Sequence, residues 1–214
     1  MLKVTPLTPS IGAIISKVSL NKDLNSGTIE QIYSALIKHQ VVFFRDQNIS
    51  PEIHLKLAES LGEIDPGHPV YPHVEGYQSI VLLKNDANNR PDTNDWHKDL
   101  TFKESPPFAS ILHGVKVPKV GGDTLWASMS AAYDQLPNGW KDHLEELEAI
   151  HDMGTFRNDF YKEGGIDSVN NALKKVGSAV HKVIETHSIS GLNYLNVNQS
   201  FTRNIVNYIT LIHI

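Results

Sequence analysis

Cysteine is absent from the 214-residue chain, so disulfides and thiolate metal sites are both excluded. Positive charge never gathers: no lysine or arginine run exceeds two residues, and the formal net charge is -5. That argues against nucleic acid or an anionic membrane as partner. A small anionic substrate stays open, since it needs only a local positive site. Long apolar runs are missing too. Met1 to Pro6 lacks the hydrophobic stretch of a signal peptide, and no later segment is long enough to span a bilayer. The expected setting is a reduced cytoplasm. There is no internal repeat and no low-complexity tract. What the chain does have is 40% hydrophobic against 20% charged residues, enough for a sizeable core. A single domain over 1–214 is expected, with a polar, glycine-punctuated, partly helical insertion at about 153–178.

Patterning predicts strands at 2–7 and 13–18, separated by Thr8-Pro9-Ser10. Thr28, with Gln31 three residues on, is expected to cap a helix striped by Ile29, Ile32, Tyr33, Leu36 and Ile37. A buried strand follows at 40–45. Ser50-Pro51 opens a second helix that Gly62 ends. Strands are expected at 78–83, 108–117 and from Asp123 to Trp126, helices at 130–136 and 138–147, and late strands at 180–186 and 192–197. Many short strands beside early helices suggest an α+β or mainly β domain with a sandwich or barrel core. Trp96 and Trp126 are expected in that core.

The chemistry gathers in Asp95-Trp96-His97-Lys98-Asp99-Leu100-Thr101-Phe102. In extended chain, His97 and Asp99 point to one side, about 6–7 Å apart at the backbone. Imidazole nitrogen and carboxylate oxygen can then converge on one divalent cation. Two histidines and one carboxylate with open positions is how proteins hold non-haem iron(II) for oxygen chemistry. By spacing alone the pair reads equally well as ligands or as an ordinary surface pair, because the chain has eleven histidines.

Context separates the two. Trp96-His97-Lys98-Asp99-Leu100-Thr101-Phe102, Pro106-Pro107 and Gly121-Gly122-Asp123-Thr124-Leu125-Trp126 stand in order with His39-Gln40-Val41-Val42-Phe43 and His68-Pro69-Val70-Tyr71-Pro72-His73. Together they resemble the taurine dioxygenase family of iron(II)- and 2-oxoglutarate-dependent oxygenases, from Thr5 to about Val206. The resemblance implies a double-stranded β-helix (jelly-roll) core. It implies His97 and Asp99 as Fe(2+) ligands, with 2-oxoglutarate and O2 as co-substrates. It implies that Thr124 binds the distal carboxylate of 2-oxoglutarate, and that His68 and Tyr71 donate to the substrate sulfonate. His73 and the remaining histidines are expected to be structural. The implied reaction hydroxylates a small sulfonate, with taurine the expected one, to release sulfite and an aldehyde. Homo-oligomers are also implied.

Two departures qualify the match. Thr93, with Asn94 beside it, stands where the family places an asparagine near the substrate amine. The resemblance stops after Val206, before the family's third iron ligand (a histidine) and clamp arginines. His213 lacks the surroundings of that histidine. The sequence therefore reads as a carboxy-truncated member, its core incomplete there. The alternatives are a related oxygenase acting on an alkyl sulfate or aryloxyalkanoate, and an inactive fragment or interaction module.

Overall fold

Cap choice shows how local chemistry sets the frame of the computed structural model, which describes residues 2–67, 71–86 and 95–207. Helix α1 (Ser26–His39) starts three residues earlier than the capping-box reading places it. Asn25, in extended conformation, accepts the Thr28 N–H on its side-chain oxygen at 2.8 Å. The Gln31 amide donates to the Gly27 carbonyl rather than closing a box. Asparagine and threonine both cap well, and Asn25 sits where the chain is still extended. Helix α2 (Pro51–Leu61) begins as expected, with Ser50 capping Ile53 and proline in the first turn.

The chain divides into two compact units, Met1–Lys84 with Phe108–Ser128 and Asn85–Pro107 with Met129–Ile214. In the first, β1 (Lys3–Pro6) and β2 (Ala13–Ser16) pair antiparallel, and β3 (Val42–Phe43) adds parallel to β2. Ile15, Ile32, Ala35 and Leu57 bury against one another with Leu20 and Ile49. A hairpin of β4 (His73–Val74) and β5 (Tyr77–Val81) completes the unit's strands among the described residues.

The strands expected at 108–117 and 123–126 do not form. Among the described residues no backbone ladder reaches them, and a strand without a partner leaves its N–H and C=O groups to water. Leu112, Val115, Val120 and Leu125 are accordingly 68–90% exposed. Ile111 is the anchor, packing on the core while its carbonyl meets His54 Nε2 at 3.0 Å. Trp96 and Trp126 are exposed, not core, because no described side chains close over them.

In the second unit, α3 (Met129–Asp134) and α4 (Asn138–Glu145) lead into β6 (Glu148–His151). Patterning missed β6, the centre of an antiparallel sheet between β7 (Ala179–Lys182) and β10 (Thr202–Ile205). A hairpin of β8 (Ile184–Thr186) and β9 (Asn193–Leu195) follows β7. The stretch read as a partly helical insertion is α5 (Phe156–Val176), broken at Gly164–Gly165, with Val169 and Ala172 buried on Met153. Architecture overall is α+β with short, mostly antiparallel strands.

A buried polar cluster links β6 and β7 to the 95–102 run. His151, fully buried, has Nδ1 3.0 Å from Thr101 Oγ1, and Asn198 donates to the same oxygen at 3.4 Å. His181 Nε2 donates to the carbonyls of Thr101 and Lys103 at 2.8 and 3.1 Å. The two imidazoles meet edge to face, 5.2 Å apart. Just beyond β6, Asp152 pairs with Arg157 and accepts the Gly154 N–H. Gly154 has φ +52°, and a Cβ there would lie 1.6 Å from the Ser200 carbonyl oxygen.

Gly154→Ala therefore faces both a left-handed backbone and a backbone collision. It should cost well over about 1 kcal/mol, seen as a lowered denaturant midpoint. A second expectation concerns acid. Desolvation, reinforced by His181 and Lys98, pushes His151 down from 6.5 to about 4. The unfolded chain therefore takes up this proton at higher pH than the folded one. Stability is lost as pH falls from about 6.5 to about 4, reaching on the order of 3 kcal/mol. In urea titrations across that window, His151→Gln should lose less stability than the parent.

Candidate active site

The 95–102 run is held by its own turn. Leu100 takes φ +59°, and the Lys103 N–H closes on its carbonyl at 3.0 Å. Thr101 and Phe102 point inward and are buried, while His97 and Asp99 stay accessible, their side chains 32% and 65% exposed. His97 Nδ1 lies 2.9 Å from the Asp95 carbonyl. A carbonyl can only accept, so in the neutral imidazole Nδ1 carries the proton and the lone pair is on Nε2. That Nε2 lies 3.7 Å from Asp99 Oδ1, too long for a hydrogen bond. The ring is braced edge-on by Phe201, at 6.3 Å and 86°. Phe201 is itself buried against Phe102 and Phe156.

Lys98, between the two, turns the other way. Its Nζ lies 3.4 Å from Tyr194 Oη, 3.3 Å from Asn196 Oδ1 and 4.8 Å from the Tyr194 ring centre. Tyr194 donates to Glu185 at 2.6 Å, and the other Glu185 oxygen lies 3.6 Å from His181 Nδ1. Desolvation lowers the Lys98 pKa, opposed by the Glu185 charge. Desolvation, then the Glu185 hydrogen bond and charge, raises that of Tyr194. Sequence reasoning passed over Lys98, Tyr194, Asn196 and Phe201. The alternation of side chains could have found the first, because a residue between two converging ligands must face away.

A nitrogen with its lone pair free and a carboxylate oxygen, convergent and accessible, suit an iron(II)-type cation as two of three donors. Among the described residues no three His, Cys, Asp or Glu side chains gather as a metal group. Structure thus brings His97 and Asp99 together. Thr124 belongs to the first unit, exposed in irregular chain. Tyr71 is in that unit also, partly buried before β4. His68, Thr93, Asn94 and His213 lie outside the described residues.

Known proteins resemble the chain over nearly its whole length. The family described as "Taurine catabolism dioxygenase TauD, TfdA family" matches residues 3–212. An alpha-ketoglutarate-dependent sulfate ester dioxygenase of Pseudomonas putida is 35% identical over 97% of this chain and 69% of its own length. An alkylsulfatase of Acinetobacter baylyi is 34% identical over 94% of this chain and 64% of its own. The crystal structure of a putative alpha-ketoglutarate-dependent taurine dioxygenase from Burkholderia xenovorans superposes with a TM-score of 0.82 at 31% identity, covering 98% of this chain and 70% of that one. The chain thus spans roughly two thirds of the length of these relatives. With the family matched almost end to end and the jelly-roll relatives superposing on its fold, the chain belongs to the TauD/TfdA family of dioxygenases.

Proposed function

We propose that the protein is an iron(II)- and 2-oxoglutarate-dependent dioxygenase that hydroxylates a small organosulfur anion. The observation carrying this reading is the convergence of His97 Nε2 and Asp99 Oδ1 at 3.7 Å on an accessible face. These two side chains would hold the metal. When bound, the metal supplies an oxidant made from O2 and 2-oxoglutarate, strong enough to take hydrogen from unactivated carbon. The chain's own residues position and restrain. Asp95 keeps the Nδ1 proton in place, so that His97 offers only Nε2. Phe201 stops the ring from rotating away. Asp99 provides the one anionic donor of the pair. The Thr124 hydroxyl would donate to the distal carboxylate of 2-oxoglutarate, and His68 and Tyr71 to the oxygens of the sulfur group.

With a sulfonate such as taurine, hydroxylation of the carbon bearing sulfur lets the product collapse to sulfite and an aldehyde. One oxygen atom of O2 enters the substrate, while the other enters the succinate formed as 2-oxoglutarate loses carbon dioxide. A second reading, favoured by the names of the relatives at 35% and 34% identity, is an alkyl sulfate. Hydroxylation at its ester carbon would release sulfate instead. The sulfonate dioxygenase of Saccharomyces cerevisiae and the 2,4-dichlorophenoxyacetate dioxygenase of Cupriavidus pinatubonensis, each 26% identical, are reasons to include a sulfonate and an aryloxyalkanoate in the test panel.

The test follows succinate, sulfite and sulfate together, with iron(II) and 2-oxoglutarate, across taurine, alkyl sulfates and aryloxyacetates. Sulfite supports the sulfonate reading and sulfate the ester reading. Succinate coupled to neither would overturn both. His97→Ala and Asp99→Ala should each weaken Mn(II) binding, read by titration calorimetry. Unchanged affinity in both variants would remove the metal assignment.

A further inference from the structure

Lys98 is the one residue between His97 and Asp99, so its backbone torsions share in setting the direction in which the two face each other. A lysine there would ordinarily let its ammonium wander in water, because holding a long flexible side chain in one geometry costs rotamer entropy. Here it is tied down. Its Nζ is within 3.4 Å of Tyr194 Oη, within 3.3 Å of Asn196 Oδ1 and 4.8 Å from the Tyr194 ring centre. Neither anchor is loose. Tyr194 sits in β9, paired antiparallel with β8 through Glu185, and its hydroxyl donates to the Glu185 carboxylate at 2.6 Å. Asn196, only 4% exposed, bonds through its N–H to the Val183 carbonyl. The other side of Asp99 is fixed by the Leu100 turn and by Thr101, whose carbonyl takes the His181 N–H.

We propose that Lys98 is a positioning residue, and that its anchorage on the β8–β9 hairpin holds His97 and Asp99 in the mutual orientation that grips a divalent cation. This rests on the metal reading above. It also makes a prediction opposite in sign to that of charge alone. Lys98 is a cation beside a cation site, and its charge already acts on His151. Were it only a nearby charge, removing it would relieve repulsion and tighten divalent-metal binding. A positioning role requires the reverse.

The experiment compares Mn(II) affinity by calorimetry and the Mn(II) electron paramagnetic resonance line shape in the parent, Lys98→Met and Tyr194→Phe. Methionine keeps most of the aliphatic stem and loses the ammonium. Phenylalanine keeps the ring and loses the hydroxyl. Lys98→Met should bind Mn(II) about tenfold more weakly, as expected when a ligand's supporting contact is lost. Tyr194→Phe should fall in between, because the ring face remains for the ammonium. Both should broaden the spectrum. In the metal-free variants, the His97 ring resonances should also move by nuclear magnetic resonance. Lys98→Arg, which keeps a charge able to sit over the Tyr194 ring, should recover part of the affinity. Equal or tighter binding in both Lys98→Met and Tyr194→Phe would overturn the positioning role. Should Lys98→Met not fold, Tyr194→Phe alone decides. A parent protein that binds no Mn(II) would overturn the metal reading itself, a result distinct from either variant outcome.

Discussion

The hydrogen bond from His97 Nδ1 to the Asp95 carbonyl is the constraint on which the site depends. It removes one nitrogen from metal chemistry and turns the other toward Asp99. A single short loop thereby chooses tautomer and ring direction together. The choice would be soft without a wall behind the imidazole, and Phe201 supplies it. Phe201 is in turn held by its own loop. Its N–H bonds to Asn198 Oδ1 at 2.8 Å, and its carbonyl takes the Asp152 N–H at 3.1 Å. Gly154 lets the chain after β6 press against Ser200, one residue before the phenylalanine. So a glycine with no chemistry of its own sits in the same chain of contacts as the imidazole.

The opposite side of the run is polar and mostly dry, which is costly unless every group is satisfied. Thr101 meets that condition economically. Its hydroxyl oxygen accepts from Asn198, leaving the O–H to donate to His151 Nδ1. His151 then stays neutral, as its lowered pKa requires. His181 spends its Nε2–H on two carbonyls and leaves Nδ1 facing Glu185, which already holds Tyr194. Glu185 therefore joins the Lys98 anchorage to the Thr101 anchorage. The two ligand candidates stand on a network tied at both ends.

Spacing offered His97 and Asp99 as a pair, but only the ordered motifs around them favoured ligands over an ordinary surface pair. Helix α2 was readable from its cap and apolar face, and the helices expected at 130–136 and 138–147 form as α3 and α4. The start of α1 was not, since Asn25 and Thr28 can each cap a helix and the extended backbone at Asn25 decides between them. Strands fared worse. Phe108 to Val117 has strand composition but no strand pairs with it among the described residues, whereas Glu148 to His151, four residues beside a polar stretch, became the centre of a sheet. Strand formation is decided by what lies alongside, often fifty residues away, and composition cannot report that. The Trp96 and Trp126 expectation failed similarly: indoles suit cores, but these have nothing described closing over them. Lys98, Tyr194 and Phe201 carry no motif signal, and their roles arise only when the β8–β9 hairpin and the β10 loop fold back on the run.

Lys98 also bears on anion recognition. It is the cation closest in sequence to His97 and Asp99, and in a chain of net charge -5 it would be the obvious partner for a carboxylate or sulfur oxyanion. Its ammonium is already committed to Tyr194 and Asn196, within reach of the Glu185 charge. Redirecting it to a substrate would break those contacts and release the segment between the ligands, loosening the site as the anion arrived. Anion recognition and metal positioning therefore compete for this residue, and the geometry assigns it to positioning. The donors proposed for the anions within this chain are then Thr124, Tyr71 and His68. Such donors discriminate by the direction of their hydrogen bonds more than by charge. On the proposed reading, a sulfate ester and a sulfonate, alike in charge and in their tetrahedral sulfur and different by one bridging oxygen, would be told apart by where the sulfur oxygens point.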